Sequence, residues 1–257
     1  MGRILKLQRK NENMHSTELN YRHEYKYLIS EADMAVLKLM AESIMTVDSH
    51  ADDEGRYLIR SIYFDDLYDT CMSENEDGTS PREKWRIRAY NCDRSNIYLE
   101  CKRKEGGLIH KDSCRITYDE YEYLVGYEYD KADQRKVPGL AEDDRTVLNR
   151  FKYLVQTQGY TPKVIVEYIR YPFVYFAGNV RVTFDTDIAS SSDINRFFDE
   201  DIHKRMILPI GQQLLEVKYD ELLPDYIKQA LSVGSLERAT FSKYFLCRRY
   251  DSGGLVL

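Results

Sequence analysis

An α+β domain organised around a large, mainly antiparallel sheet is the fold class that this sequence predicts, on three observations. Eight segments show the period-two patterning of strands, turn chemistry joins several of them, and no repeat, linker or low-complexity block divides the 257 residues. Tyrosine, at 22 copies, often stands among alternating charges, which suits strands with one packed and one polar face.

Residues 1–19 are polar and aperiodic and are expected to form a flexible tail; one domain is expected over 20–250, with a C-terminal tail at 251–257. The first strand, 21–29 (YRHEYKYLI), sets Arg22, Glu24 and Lys26 on one face against Tyr21, Tyr25 and Tyr27 on the other. Ser30, with Asp33 three residues on, is a capping-box start for a helix to about residue 45, with Met34, Leu37 and Ile44 on its apolar side. Strands follow at 57–64, 83–91, 96–104 and 108–118. NEDGTSP (75–81) is turn chemistry before the second of these, and EGG (105–107) joins the third and fourth as a hairpin. A helical stretch over 140–158 interrupts the strands, which resume at 163–175, 180–187 and 212–220; a shorter helix follows Pro224.

Composition removes several function classes. A net charge of -6 and a pI near 5.5 argue against a surface built as a whole to hold nucleic acid, so any anion site must be local. Five cysteines without C-x-x-C spacing indicate neither a disulfide framework nor a zinc knuckle, and reduced thiols suit a cytoplasmic protein. Nowhere do about 18 apolar residues run together, so the sequence reads as soluble, with no membrane segment. Phosphate-loop and dinucleotide glycine motifs are absent. His23, His110 and His203 stand alone and read as packing or surface residues.

The charges that remain are patterned. In EKWRIRAYN, Lys84, Arg86 and Arg88 alternate with Trp85 and Ile87; Glu100, Lys102 and Lys104 share a face, as do Glu24 and Lys26, Glu216 and Lys218, and Arg181, Thr183 and Asp185. One reading is the solvated outer face of a sandwich. The other is a barrel, which eight strands suffice to close, with the charged face turned inward. Burying unpaired ions costs several kcal/mol each, so such an interior must hold water and an anionic ligand, with a cation at the carboxylates. An empty lining of this kind is expected to hold mutually repelling cations. Arginine forks match phosphate oxygens, and polyphosphate is the ligand that suits the lining.

In order along the chain stand RHEYKY (22–27), IRSIYFDD (59–66), KWRIRAY (84–90), YLECKRK (98–104), HKDSCRI (110–116), VEYIR (166–170), VRVTFDTDI (180–188), LEVKY (215–219) and FSKYF (241–245). In these landmarks and their spacing the chain resembles bacterial VTC domains, the polyphosphate polymerase branch of the triphosphate tunnel metalloenzymes. The resemblance implies an eight-stranded antiparallel β-barrel tunnel with flanking helices. It also implies transfer of the γ-phosphoryl of ATP to a growing polyphosphate, with Mn2+ or Mg2+ required. Carried over by position, Lys26, Arg86, Arg88, Lys102, Arg170 and Arg181 would act on the reacting phosphates. Lys111, Tyr168, Ser242 and Lys243 would bind substrate, and Glu216 would hold the metal. Glu24 and Glu100 would join the substrate site, either balancing tunnel charge or helping to bind metal. The nucleophile would be an already ionised terminal phosphate oxygen, so no side-chain base is demanded. Arg22 stands where the tunnel hydrolases have the first glutamate of E-x-E-x-K, which favours polymerase over triphosphatase. Thr240 stands where eukaryotic relatives carry a lysine before FSK, so one cation of the polymer exit is missing. A tunnel triphosphatase and a non-catalytic polyphosphate-binding module stay open as alternatives, as do the oligomeric state and a separate membrane partner.

Overall fold

The structure, a computed structural model, describes residues 21–126, 145–231 and 236–251. The expected tail at 1–19, residues 252–257 and the first residues, 140–144, of the predicted long helix lie outside the described residues.

Strands β1 (His23–Ser30), β3 (Tyr57–Asp65), β4 (Arg82–Tyr90), β5 (Ile97–Glu105), β6 (Leu108–Ile116), β7 (Thr161–Tyr175), β8 (Val180–Ser191) and β10 (Gln212–Tyr219) correspond to the eight predicted from sequence. They pair antiparallel in the order β1-β10-β8-β7-β3-β4-β5-β6. Two further strands, β2 (Thr46–Val47) on β7 and β9 (Arg205–Met206) on β8, are too short to leave a period in the sequence. The sheet curls until its edges meet: Arg22 and Ile109 exchange backbone hydrogen bonds of 2.9 and 3.1 Å, joining the β1 end to β6. The α+β tunnel fold expected from the sequence is therefore present, and it is closed at that seam by a single bridge.

Helices cover the outside. In α1 (Glu31–Ile44) the capping box forms as read, with Ser30 Oγ accepting from the Asp33 amide at 3.1 Å and Asp33 Oδ2 from the Ser30 amide at 3.2 Å. The predicted fourth hairpin strand stops at Ile116 because Thr117 and Glu120 form a second capping box that starts α3 (Tyr118–Val125). The helix α4 (Thr146–Gln158) ends at Gly159, whose φ of 66° is the left-handed conformation glycine adopts freely. The remaining helices are α2 (Thr70–Glu76), α5 (Asp225–Ala230) and α6 (Lys243–Asp251).

The apolar residues lie between helices and barrel. Trp85, Ile87, Leu99 and Phe64 pack under Leu148, Phe151 and Val155 of α4, with the Trp85 and Phe151 rings stacked at 5.0 Å. On the other side Leu37 and Ala41 of α1 cover Phe173, Val182, Phe184, Leu215 and Val217. Each such side chain withdrawn from water contributes about 1.5–3 kcal/mol, and their alternation along β4 and β5 leaves the other face of those strands to the ions.

Candidate active site

The pleat fixes which side chains enter the barrel. Trp85 and Ile87 of β4 point out to α4, so Lys84, Arg86 and Arg88 point in, and the register sets Arg86 opposite Glu100 on β5. By the same alternation Lys26 of β1 lies opposite Glu216 of β10, Glu24 opposite Lys218, and Arg170 of β7 opposite Asp185 of β8. Together they enclose a cavity of about 540 Å3.

Four buried carboxylates organise the cations. Glu216 Oε1 takes Lys243 at 2.8 Å and Lys26 at 3.7 Å, while its Oε2 takes Lys218 at 2.9 Å and Arg170 at 3.2 Å. Asp185 holds Arg170 through both oxygens, at 2.6 and 2.7 Å, and Lys243 at 2.6 Å. Glu100 holds Arg86 at 2.6 Å, Lys111 at 2.9 Å and Arg88 at 3.7 Å. Glu24 takes Lys102 at 2.9 Å, Lys26 at 3.2 Å and Lys218 at 3.8 Å.

The mutual repulsion that the alternation suggested is thus present but offset by ion pairs, and the register that makes the pairs is not visible in any one strand. Burial works against ionisation of Glu100, yet Arg88, Arg86 and Lys111 overcome it and hold the carboxyl well below the ordinary range. The same contest, won by Lys218, Lys243, Lys26 and Arg170, holds Glu216 well below that range too. Lys102 is on the losing side. Burial pulls its ammonium down to about 7, Lys26 and Lys218 add to the effect, and Glu24 only partly opposes them.

Of the site residues expected from sequence, Glu24, Lys26, Arg86, Arg88, Lys102, Tyr168, Arg170, Glu216, Ser242 and Lys243 line this cavity. Lys243 enters from the start of α6, and Ser242 caps that helix by accepting the Phe245 amide at 3.3 Å. The helix is held down by Tyr244, whose hydroxyl donates to buried Asp65 at 2.5 Å and whose ring stacks on Tyr63 at 5.1 Å. Tyr168 lies beneath the Arg170 guanidinium and the Lys243 ammonium, at 5.1 and 4.7 Å from its ring centroid.

Three expected residues stand off the cavity wall. Glu100 is buried behind the cations it binds, and Lys111, half-exposed, reaches it from β6. Arg181 is tied instead to Asp48 at 2.7 Å and to the Tyr57 hydroxyl at 2.8 Å. Conversely, Arg82, Lys84, Lys104 and Lys218 line the cavity without having been singled out as site residues. Each lies two residues from a selected position or from another of the four, so the alternation itself was the signal.

No group of three or more His, Cys, Asp or Glu suited to a metal ion occurs among the described residues. Magnesium commonly takes one or two carboxylates and completes its shell with substrate phosphates and water. Glu216, buried, ionised and on the cavity wall, is a carboxylate of the kind that mode uses.

The VTC-domain model matches residues 21–250. The chain belongs to the VTC-domain family. A tunnel-family, phosphoryl-related function goes with that membership. No curated relative matches this VTC domain. Among solved structures it is similar to a Bacillus halodurans protein provisionally assigned as an adenylate cyclase, at 13% identity and TM-score 0.46, covering 86% of this chain and 95% of that one. It is also similar to the Mimivirus capping-enzyme triphosphatase, at 12% identity and TM-score 0.33, covering 82% and 86%. No helix among the described residues of this VTC domain is long and apolar enough to cross a membrane.

Proposed function

We propose that this VTC domain is an ATP-dependent polyphosphate polymerase that transfers the γ-phosphoryl of ATP to a growing polyphosphate chain within its barrel. The observation that supports this reading is the cavity wall itself, on which side chains from β1, β4, β5, β7, β10 and α6 converge as cations in excess of the carboxylates among them. Phosphoryl transfer has a loose transition state with charge spread over equatorial oxygens, so it needs positioning and neutralisation more than covalent chemistry. Arg86, Arg88, Lys102, Lys26, Arg170 and Lys243 are the groups that would bind and align the phosphates. The carboxylates keep these cations fixed in place before substrate arrives. Each phosphate oxygen then exchanges for a carboxylate oxygen rather than ordering a free side chain. Lys111 and Arg181 join by giving up Glu100, and Asp48 with Tyr57, for phosphoryl oxygens. Glu216 would be the protein ligand for Mn2+ or Mg2+, which when bound supplies further neutralisation between phosphate groups.

A non-catalytic polyphosphate-binding module is the second reading, and Thr240, on the cavity wall where a cation would strengthen the polymer path, favours it. Purified protein incubated with ATP and either metal separates the readings. ADP with a ladder of long-chain polyphosphate on a gel is the outcome expected. ADP with orthophosphate and no polyphosphate would instead mean a tunnel triphosphatase, and tight polyphosphate binding without turnover under any divalent metal would mean a binding module.

A further inference from the structure

Lys84 differs from the seven ion-paired cations at the centre of the cavity, and with Arg82, Lys104 and Arg249 makes up the wall cations that have no carboxylate within 4 Å among the described residues. Arg86, Arg88, Lys26, Lys102, Arg170, Lys218 and Lys243 each lie within 4 Å of a carboxylate. Lys84 has none among the described residues: its Nζ donates to Ser242 Oγ at 2.8 Å and to Asn75 Oδ1, both neutral. The groups facing it are Lys26 from β1, Lys102 from β5 and Arg82 from its own strand, with the Cys71 thiol on α2 and the Tyr244 ring of α6, 5.8 Å away. It sits on the cavity wall, partly buried, at the next inward position of β4 after Arg86.

We propose that Lys84 is a further phosphate-binding residue, exchanging Asn75 and Ser242 for a phosphoryl oxygen when a phosphate chain fills the cavity. The inference rests on the phosphate-chain reading of the same cavity. Its physical basis is a difference in what must be given up. Phosphate at Arg86 competes with Glu100 for a guanidinium that is already neutralised, whereas Lys84 exchanges two neutral acceptors for an anion and gains a counter-charge it lacks. Burial, and then Lys26, Lys102 and Arg82, hold the Lys84 ammonium well below its ordinary range. An anion beside it reverses that shift, so binding should draw a proton onto this side chain.

The test is calorimetric titration of the full chain with tripolyphosphate, without ATP or metal, in two buffers of different ionisation enthalpy, which reports proton uptake. Wild type should bind with net uptake. Lys84→Met should bind about tenfold more weakly and take up less. Lys84→Arg should recover affinity without the lost uptake, because guanidinium is always charged. Wild-type affinity and uptake in Lys84→Met would overturn the inference and leave the cavity reading standing, whereas failure of wild type to bind tripolyphosphate would remove both. Should Lys84→Met not fold, Lys84→Arg decides by itself: reduced uptake supports the assignment and unchanged uptake overturns it.

Discussion

Trp85 and Arg88, on opposite faces of β4, are buried to nearly the same degree and for opposite reasons. Trp85 is 1% exposed on the outer face and Arg88 6% exposed on the inner one, with Glu100, at 2%, behind it. Outside, burial is favourable in itself, through the Phe151 stack and the α4 side chains around it. Inside, burial is opposed by desolvation and tolerated only because every buried arginine of the wall has a carboxylate. Accessibility alone would not tell a core from a binding site here; charge pairing does. A slip of one residue in the β4–β5 register would place ions against α4 and Trp85 in the cavity, so the same alternation specifies both fold and site.

The largest effect should come from the outer face. Trp85→Ala removes the biggest fully buried side chain and should cost about 3–5 kcal/mol of stability, read as a lower denaturant midpoint. Loss of phosphate binding would then follow from unfolding. The inner face should behave differently. Arg86→Ala with Arg88→Ala should abolish phosphoryl transfer, but it also strands Glu100 with Lys111 as its one remaining ion-pair partner among the described residues. Breaking buried pairs from one side typically costs about 3–5 kcal/mol. Adding Glu100→Gln should restore most of that stability without restoring transfer, measured by chemical denaturation beside the ATP assay. If the triple variant is no more stable than the double, the carboxylates are not balancing the cations.

Strand positions were legible because burying one face favours a period of two, which β4 and β5 follow, while β7, with Val164, Ile165 and Val166 all buried, shows instead as a run of β-branched residues. Inward direction was legible for Arg86, Lys102 and Glu216 for the same reason. Parity gives the face of a strand, however, and not the partner. Arg181 has the right parity and lies in register with Lys218, yet Asp48, just past β2, ties it away from the cavity. That partner is more than a hundred residues distant in sequence, and no local pattern points to it. The helix α3 was missed because YDEYEYLV offers strand-forming aromatics while its Thr117–Glu120 capping box went unread. Lys243 was matched by family position alone; its place between Asp185 and Glu216 depends on the docking of α6 through Tyr244 and Asp65.

The smallest effect expected is on pH dependence, and it reports on the inner face because Lys102, a lysine held near neutrality, lies there. Lys102 is held at about 7, against an ordinary lysine value near 10.4, by burial and by Lys26 and Lys218. A depressed ammonium means that, between those two values, the unfolded chain binds more protons than the folded one. Through Lys102 alone, stability of the ligand-free protein therefore rises with pH across that window and is flat below about 7. Lys102→Met should remove this slope, so thermal melts of wild type and variant should diverge in pH dependence between neutral and mildly alkaline pH. Glu24 keeps Lys26 and Lys218 as partners in the variant, so its own contribution, lost only in acid, should persist. A tripolyphosphate-saturated wild type should lose the slope as well, because the bound anion returns Lys102 toward its ordinary value. Parallel melts for wild type and Lys102→Met would mean that the inner lysines are already solvated.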